Sequence, residues 1–344
     1  MKRIISLLVL CLWSSISISD ELKIYIWEDY ISPELIDKWE ETTGHTVNLV
    51  YYDSDESRDE VLGSDSGKGF DLAVFDSISS QLFGKNNKIH ALSLGNLPSL
   101  VDIDAQWKES CGNFGLPYQW GALGIVYNKE KVIPAPTSWV HLLYSDRKYH
   151  GHVVMLEDAV DSLVAPLLLE GNSVNTEDKS ELKAAFSHLK NQAPSLLGYG
   201  YALTYEKQAR EQVYMALGYS GDHFTLNEMS QSEVWEFVYP AEGSAIWMDC
   251  FSIMEWSSKK ELALQFLEFI NEPVSAAENS EWIGTATPNK RALKLISEDV
   301  LSDKSIYPAN EILEKSHTYR IISDANMTLR HRIINAAMKY RDSQ

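Results

Sequence analysis

The sequence predicts an α/β protein of two lobes, each built on a largely parallel sheet. Three observations lead to this prediction. The chain has 344 residues, 44% of them hydrophobic, so it can bury more than one core. Its first part alternates between short apolar strands and a well-capped helix. A second alternation of the same kind begins after Pro134 and Pro136.

The first alternation contains three predicted strands, and the third is nearly all apolar, which is typical of a strand buried on both faces. The first helix has Ser32 as its cap, Pro33 at its first position and Gly44 at its end. In a parallel sheet of this kind, ligands bind beyond the carboxyl ends of the strands. The three strands are residues 22–27, 46–52 and 70–75.

Residues 115–128 are predicted as a strand that leaves the first lobe. In the second alternation, Thr137 is predicted to cap one helix, and Asp158 begins another that Gly171 ends. The later strands are predicted at residues 152–156, 213–217, 233–239 and 245–254, and the later helices at 261–270 and 329–340.

The N-terminus has the pattern of a secretory signal peptide, which we assign to residues 1–19. Lys2 and Arg3 form its charged region, residues 4–16 its apolar region and residues 17–19 its cleavage site. We therefore expect an exported protein. Its oxidising compartment would permit a disulfide between Cys111 and Cys250, but two buried thiols fit the sequence at least as well.

The chain is acidic, with a formal net charge of −19. Cleavage of the signal removes Lys2 and Arg3, so the mature chain is more negative still. Such a charge disfavours nucleic acid and anionic lipid as partners and favours cationic ones. We expect no nucleic-acid partner. Nothing after the signal resembles a membrane-spanning helix.

The strand at residues 245–251 carries the first candidate site residues, Trp247 and Asp249. Side chains two residues apart leave a strand on the same face, so the indole and the carboxylate would share one space. An aromatic face beside a carboxylate suits an organic cation. A core tryptophan next to a turn aspartate is the commoner explanation when such a pair stands alone.

Four further predicted strand ends carry acids, most of them beside an aromatic or hydroxyl group. Alone, each has an ordinary structural explanation: Asp158 and Asp161 fit a helix cap, and the residues near Tyr219 fit a polar turn. Together they are harder to explain by packing. The candidates at these ends are Trp27, Glu28, Asp29 and Tyr30; Asp76 and Ser77; Asp158 and Asp161; Tyr219 and Asp222.

Several acids spread along one cleft suit an extended ligand with several amines. One ammonium near one carboxylate gains roughly 4 kcal/mol at an effective dielectric of about 20, partly offset by desolvation. A hydrolase that uses Asp158 and Asp161 as acid and base is the rival class, but no catalytic or metal-binding motif accompanies them. An amino-acid site would need an arginine, and none of the four clusters contains one. We expect no cofactor and no metal.

These same stretches make the chain resemble the periplasmic spermidine/putrescine-binding proteins over its whole mature length. The resemblance implies the two-lobed, Venus-flytrap fold of periplasmic binding proteins, with crossing linker strands and a polyamine in the cleft. It divides the chain into lobe 1 (residues 20–127 and 247–293) and lobe 2 (residues 128–246 and 294–344). The matching segments are residues 27–31, 71–77, 117–128, 156–161, 217–222, 247–249 and 287–289.

By position in this family, the resemblance implies aromatic walls, acids for a terminal and an inner amine, and polar contacts at the other end. Asp76 replaces a proline common in relatives and adds an acid, whereas Ser79 and Thr285 replace tyrosines, so the ligand's identity stays open. The walls are Trp27, Tyr30, Trp247 and Tyr219, the acids are Asp158 and Asp161 for the terminal amine and Asp249 for the inner one, and the polar contacts are Asp29 and Ser77.

Residues 219–223 and 247–250 look most like the norspermidine-sensor branch of this family. The resemblance implies a monomeric periplasmic receptor, not an enzyme, that reports to a membrane-bound cyclic-di-GMP signalling protein. The alternative is the substrate-binding component of a polyamine ABC transporter, whose partner would be a permease.

Overall fold

The computed structural model describes residues 19–208 and 210–343. The signal-peptide prediction therefore lies, apart from its last residue, outside the described residues. The strands are β1 (Glu21–Trp27), β2 (Thr46–Tyr52), β3 (Leu72–Asp76), β4 (Leu116–Asn128), β5 (Val153–Met155), β6 (Leu196–Tyr199), β7 (Met215–Tyr219), β8 (Trp235–Val238), β9 (Ala245–Ile253) and β10 (His317–Thr318).

The α-helices cover the faces of the sheet and connect its parallel strands. They are α1 (Pro33–Thr43), α2 (Asp55–Gly63), α3 (Ser77–Lys85), α4 (Trp139–Leu143), α5 (Val164–Leu169), α6 (Lys179–Gln192), α7 (Ala202–Gln208), α8 (Asp222–Ser230), α9 (Lys260–Asn271), α10 (Pro273–Ile283), α11 (Glu298–Ser302), α12 (Asn310–Leu313) and α13 (Asp324–Asp342). In the part of the chain that the structure describes, none of them combines the length and apolarity that a membrane crossing needs.

The strands form one continuous path in the order β2-β1-β3-β9-β4-β7-β5-β6, with β10 on β9 and β8 on β4. The pairs at both ends of the path are parallel, and β3–β9, β9–β4 and β4–β7 are antiparallel. Each parallel end is a βαβ lobe, because parallel neighbours need helical crossovers. The strands β4 and β9 cross between the lobes, so the predicted fold class is confirmed.

The hydrophobic core is divided at the same point on both crossing strands. Ala122 and Ile246 pair with each other and belong to one core cluster, whereas Leu123 and Ala245 belong to the other. The first part of β4 pairs with β9, and its later part pairs with β7 and β8. The two core clusters therefore meet at this pair of positions. The lobe boundaries expected from the resemblance stay a prediction.

Some local predictions differ from the structure. Ser138 rather than Thr137 caps α4, because its hydroxyl accepts the Val140 N–H. The helix expected from Asp158 begins later, as a 3₁₀ turn that leads into α5. The strand predicted at residues 213–217 is β7, two residues further on, because Leu217 and Tyr219 are held in register by β4.

Cys111 and Cys250 form a disulfide with their Cα atoms 5.7 Å apart. The bond joins the loop before β4 to β9, and both residues are fully buried. The disulfide therefore anchors β9 at the residue directly after Asp249. Of the two possibilities that the sequence left open, a disulfide and two buried thiols, the structure has the disulfide.

Candidate functional site

Asp249 on β9 is a half-buried carboxylate next to the hydroxyl of Tyr30. The Tyr30 hydroxyl donates to its Oδ2 atom over 2.6 Å. Burial raises the pKa of Asp249 to about 7, although this hydrogen bond acts in the opposite direction. Within residues 19–208 and 210–343, no basic side chain lies at ion-pair distance from it. The site therefore contains an acid that a bound ammonium group would stabilise in its charged form.

A chain of hydrogen bonds fixes the position of Tyr30. The Tyr118 hydroxyl donates to the Tyr30 carbonyl oxygen over 2.7 Å, and the Asn279 amide donates to the Tyr118 hydroxyl over 2.8 Å. The Asn279 side-chain oxygen accepts the Ser32 N–H at the start of α1. Since these residues come from β4, α10 and the connection between β1 and α1, the packing of separate elements holds the ring of Tyr30 against Asp249.

Trp247 lies two residues before Asp249 and packs over Gly121 of β4. A Cβ atom at Gly121 would lie 2.4 Å from the indole ring, so only glycine permits this approach. The indole Nε1 is buried and has no acceptor among the described residues. An unpaired buried N–H is costly, which is a reason to expect an acceptor or water from outside the chain.

A pair of acids, Asp158 and Asp161, lies in lobe 2. Asp158 Oδ1 accepts the backbone N–H groups of Val160 and Asp161, each over 2.7 Å. This is the capping geometry that the sequence offered as the structural explanation. The cap therefore leaves one carboxylate oxygen of Asp158 without a hydrogen-bond partner among the described residues.

Asp161 is surrounded by hydroxyl groups rather than by cations. Tyr219 donates to its Oδ2 atom over 2.5 Å, and Tyr319 donates to its Oδ1 atom. Burial, followed by the charge of Asp158, raises the pKa of Asp161 to about 7. Burial also raises the pKa of Asp158. Lobe 2 thus repeats the chemistry of Asp249: acids with raised pKa values beside tyrosine hydroxyls.

Two acids of lobe 1, Asp76 and Glu56, act electrostatically on the acidic pair of lobe 2. The charge of Asp76 contributes to the raised pKa of Asp161, and the charge of Glu56 contributes to that of Asp158. In salt, repulsion between charges falls off over about 10 Å. Acids of the two lobes therefore influence each other's protonation.

The chain matches the sequence model of the bacterial extracellular solute-binding proteins over residues 34–309. The chain belongs to this family. A norspermidine sensor of Vibrio cholerae is 32% identical over 97% of this chain and 93% of its own length. A spermidine/putrescine-binding periplasmic protein of Salmonella typhimurium is 28% identical over 90% of this chain and 89% of its own. The family resemblance expected from the sequence is confirmed.

The fold of this solute-binding protein also resembles solved structures. The substrate-binding protein of a spermidine/putrescine ABC transporter from Streptococcus pneumoniae superposes with a TM-score of 0.83 at 26% identity. The match covers 94% of this chain and all of that one. An ABC transporter protein of Listeria monocytogenes, described as a spermidine/putrescine one, gives a TM-score of 0.81 at 28% identity over 94% of this chain.

Arg58 is a residue at one of the predicted acidic strand ends of this solute-binding protein, and sequence reasoning missed it. Its side chain is 0% exposed, and its Nη2 atom donates to Asp76 Oδ2 over 2.8 Å. Asp76 Oδ1 accepts the N–H groups of Ile78 and Ser79 at the start of α3. Burial acts to raise the pKa of Asp76, but Arg58 and these hydrogen bonds hold it below its usual value. Both oxygens of Asp76 are therefore engaged within the chain.

The four predicted clusters contain no arginine in the sequence, which speaks against an amino-acid ligand. The structure nevertheless brings Arg58 to one of these clusters, where it contacts Asp76. Arg58 is brought to the end of β3 by α2, from a segment whose acidic sequence reads as a solvated helix face. Its guanidinium is already held by carboxylates of this chain, so it is not free to clamp a ligand carboxylate. Arg58 therefore offers an amino-acid ligand no free guanidinium at this strand end.

Tyr319 is the second residue that was missed. It follows the two-residue strand β10, which pairs with the start of β9. The strand is too short to be recognised by periodicity, and its partner lies far away in the chain. The sequence contained no signal strong enough to place Tyr319 beside Asp161.

The other candidates occupy varied surroundings. Trp27 is half-buried and packs against Tyr52, with ring centroids 4.5 Å apart. Ser77 is buried as the first residue of α3. Asp222 is buried too; it accepts the Tyr201 hydroxyl and, over 2.8 Å, the Tyr219 N–H. Burial raises the pKa of Asp222 to about 6. Its carboxylate is therefore occupied by the chain.

Glu28 and Asp29 are exposed, and neither side chain has a hydrogen-bond partner among the described residues. Asp29 has a left-handed backbone with φ of 54°, which aspartate tolerates better than most residues. It lines a surface cavity of about 200 Å³ together with Tyr30 and Trp282. These two acids are thus not brought into contact with Asp249 or Asp161.

Proposed function

We propose that this solute-binding protein is a periplasmic receptor for a polyamine of the norspermidine or spermidine type. It closes on the ligand and reports it to a membrane signalling protein. One observation carries the proposal: Asp249 and Asp161, from different lobes, are half-buried acids with pKa values of about 7 and no partner cation among the described residues. A ligand with amines at both ends would neutralise both.

The aromatic residues fit the methylene segments of such a ligand. Trp247 lies on the same face of β9 as Asp249, and Tyr30 contacts Asp249 directly. An ammonium or its adjacent methylene against an aromatic face gains about 0.5–2 kcal/mol. We assign ligand contacts to Trp27, Asp29, Tyr30, Ser77, Asp158, Asp161, Tyr219, Trp247 and Asp249. Asp158, Asp161 and Asp249 are assigned to the amines because no cation of the described residues pairs with them.

A specific observation favours the substrate-binding component of a polyamine ABC transporter as the second candidate. Several relatives are spermidine/putrescine-binding periplasmic proteins, and the similar Streptococcus structure belongs to an ABC transporter. Both candidates need the same cleft chemistry and differ in the membrane partner. The sensor relative, at 32% identity, is the reason for placing signalling first.

The paired carboxylates give little support to a hydrolase. Asp161 accepts hydrogen bonds from two tyrosine hydroxyls, and Asp158 caps a turn. The two carboxylates therefore do not have the arrangement of an acid and a base on either side of a substrate bond. The family to which the chain belongs consists of solute-binding proteins.

Calorimetric titration of the mature protein with putrescine, norspermidine, spermidine and spermine tests the ligand. We expect saturable binding of at least one triamine, with release of protons at neutral pH. No heat of binding and no thermal stabilisation by any of the four would refute the proposal.

The membrane partner needs a separate experiment. The mature protein, with and without the ligand, is cross-linked in membranes of the source cell, and the product is identified by mass spectrometry. Capture of a transmembrane protein with a cyclic-di-GMP domain supports the receptor, and capture of a permease supports the transporter. If adding the polyamine does not change the amount of either cross-linked partner, ligand-dependent reporting is contradicted.

A further inference from the structure

Arg58 is a fully buried cation held by three carboxylates. Its Nε donates to Asp59 over 2.9 Å and its Nη2 donates to Asp76 over 2.8 Å, and its Nη1 donates to Asp55. Every nitrogen of the guanidinium thus has an acidic partner. We call Asp55, Asp59 and Asp76 the acidic cage.

Aromatic rings hold the guanidinium in this place. Its central carbon lies 5.6 Å from the Tyr52 ring centroid and 5.1 Å from that of Phe75. A buried guanidinium is tolerated when its N–H groups are all paired and its faces meet aromatic rings. Arg58 is therefore a fixed part of the cleft rather than a mobile surface side chain.

The acidic cage lies beside the cation site of the proposed function. Asp76 is the register partner of Asp249 on the neighbouring strand. Tyr52, which contacts the guanidinium, also packs on Trp27. The carboxylates of Asp55 and Asp59 keep 51% and 37% of their exposure, so the cage opens to solvent while its cation is covered. Its chemistry of acids and aromatic rings is the same as that around Asp249.

We propose that Arg58 is a built-in cation that occupies, at the acidic cage, the place that a further amine of a longer polyamine would take. The inference rests on the proposed function and adds a specificity determinant to it. The ligand's amines are then left with Asp249 and the lobe 2 acids. Asp55, Asp59 and Asp76 each commit an oxygen to Arg58, whose charge weakens the attraction of the acidic cage for a fourth amine, so the site selects a shorter polyamine by filling one subsite itself.

A purely structural role makes a different prediction. If Arg58 only ties α2 to β3, its loss lowers stability and weakens all polyamines alike. The ratio of affinities for a tetraamine and a triamine separates the two roles, because a general loss of folded protein cancels in that ratio.

The test compares spermine with norspermidine by calorimetry on three variants. Arg58→Met removes the cation and keeps much of the apolar stem. The double variant Asp55→Asn/Arg58→Met removes one acid and one base, so the net charge is that of the wild type. Its two remaining carboxylates repel each other less than the three that Arg58→Met leaves. Arg58→Lys keeps the charge. Arg332→Met, at an exposed arginine of α13, is the matched control.

In the wild type we expect spermine to bind no tighter than norspermidine. In Arg58→Met and in the double variant we expect the ratio to shift toward spermine by about tenfold or more, the effect of one added ion pair in a partly screened site. The ratio in Arg58→Lys and in Arg332→Met should remain as in the wild type.

Two results would overturn the inference. One is a wild type that already binds spermine tenfold tighter than norspermidine, a measurement that needs no variant to fold. The other is a folded variant without the cation that keeps the wild-type ratio. Failure of the wild type to bind any polyamine would instead refute the proposed function, so the two failures are distinguishable.

Discussion

Asp76 and Asp249 are the same residue type and lie opposite each other on neighbouring strands, yet their pKa values shift in opposite directions. Burial acts to raise both. At Asp76 the charge of Arg58 and the N–H groups of α3 outweigh burial, whereas at Asp249 the Tyr30 hydroxyl does not. The comparison teaches that a cation supplied by the chain, rather than position in the sheet, decides which acid is left for a ligand.

The largest expected effect is on binding. Asp249→Asn removes a charge that a ligand ammonium would pair with, and we expect the affinity for norspermidine to fall about 100-fold or more, since such losses are worth 2–5 kcal/mol. Titration calorimetry measures the loss. Glu298→Gln, at an exposed acid on α11, is the control and should bind as the wild type does. Unchanged affinity in Asp249→Asn would remove this acid from the site.

The second prediction separates the two acids by the stability of the ligand-free protein at pH 8. Asp76→Asn leaves Arg58 short of one charged partner, so we expect a loss of about 1–3 kcal/mol. Asp249→Asn removes a charge that the fold disfavours, so we expect a gain of about 1–2 kcal/mol, reduced by solvent screening of this half-buried group. Urea unfolding measures both. Changes of the same sign would break the comparison.

The third prediction is a dependence on pH. The pKa values of Asp249 and Asp161 are about 7 in the free protein, and an ammonium nearby must lower them. Binding therefore releases protons near neutrality, and the affinity should fall at least about tenfold between pH 8 and pH 5.5. Calorimetry in buffers of different ionisation enthalpy counts the protons. Affinity independent of pH would show that these acids are already ionised.

The same shifts predict the stability of the free protein. Both folded pKa values lie above the ordinary value of 3.8, so the folded state binds more protons than the unfolded one between about pH 4 and pH 7. The contribution of Asp161 and Asp249 to the free energy of unfolding is thus present at low pH and is lost as the pH rises through about 7. The polyamine should restore it at pH 8, which thermal unfolding with and without ligand would reveal.

The smallest expected effect concerns Tyr219. Its hydroxyl stabilises the charged form of Asp161, so Tyr219→Phe should raise the pKa of that acid further. We expect the pH at which binding weakens to move upward by roughly one unit or less, with little change at pH 8. Affinity measured at several pH values tests it. Phe224→Leu, an exposed aromatic on α8, should leave the profile unchanged.

Several local features around the candidate residues could be predicted because they depend on short sequence patterns. Alternation in β9 places Trp247 and Asp249 on one face, and the helix signals around Ser32 and Gly44 fix α1 as expected. The strand ends that carry Tyr30 and Tyr219 follow from the same periodicities. Each of these features is decided by a few consecutive residues, and so it is visible in the sequence.

The amino-acid sequence by itself determined the two α/β lobes, the acidic character and the face of β9 that bears the indole and the carboxylate. Only the tertiary structure decided that Arg58 reaches Asp76, that Tyr319 reaches Asp161 and that Cys111 bonds Cys250. The physical reason is distance along the chain. A residue's direction is set by its own backbone, but its partner is chosen by how whole elements pack, and that choice determines which acids keep an unmatched charge.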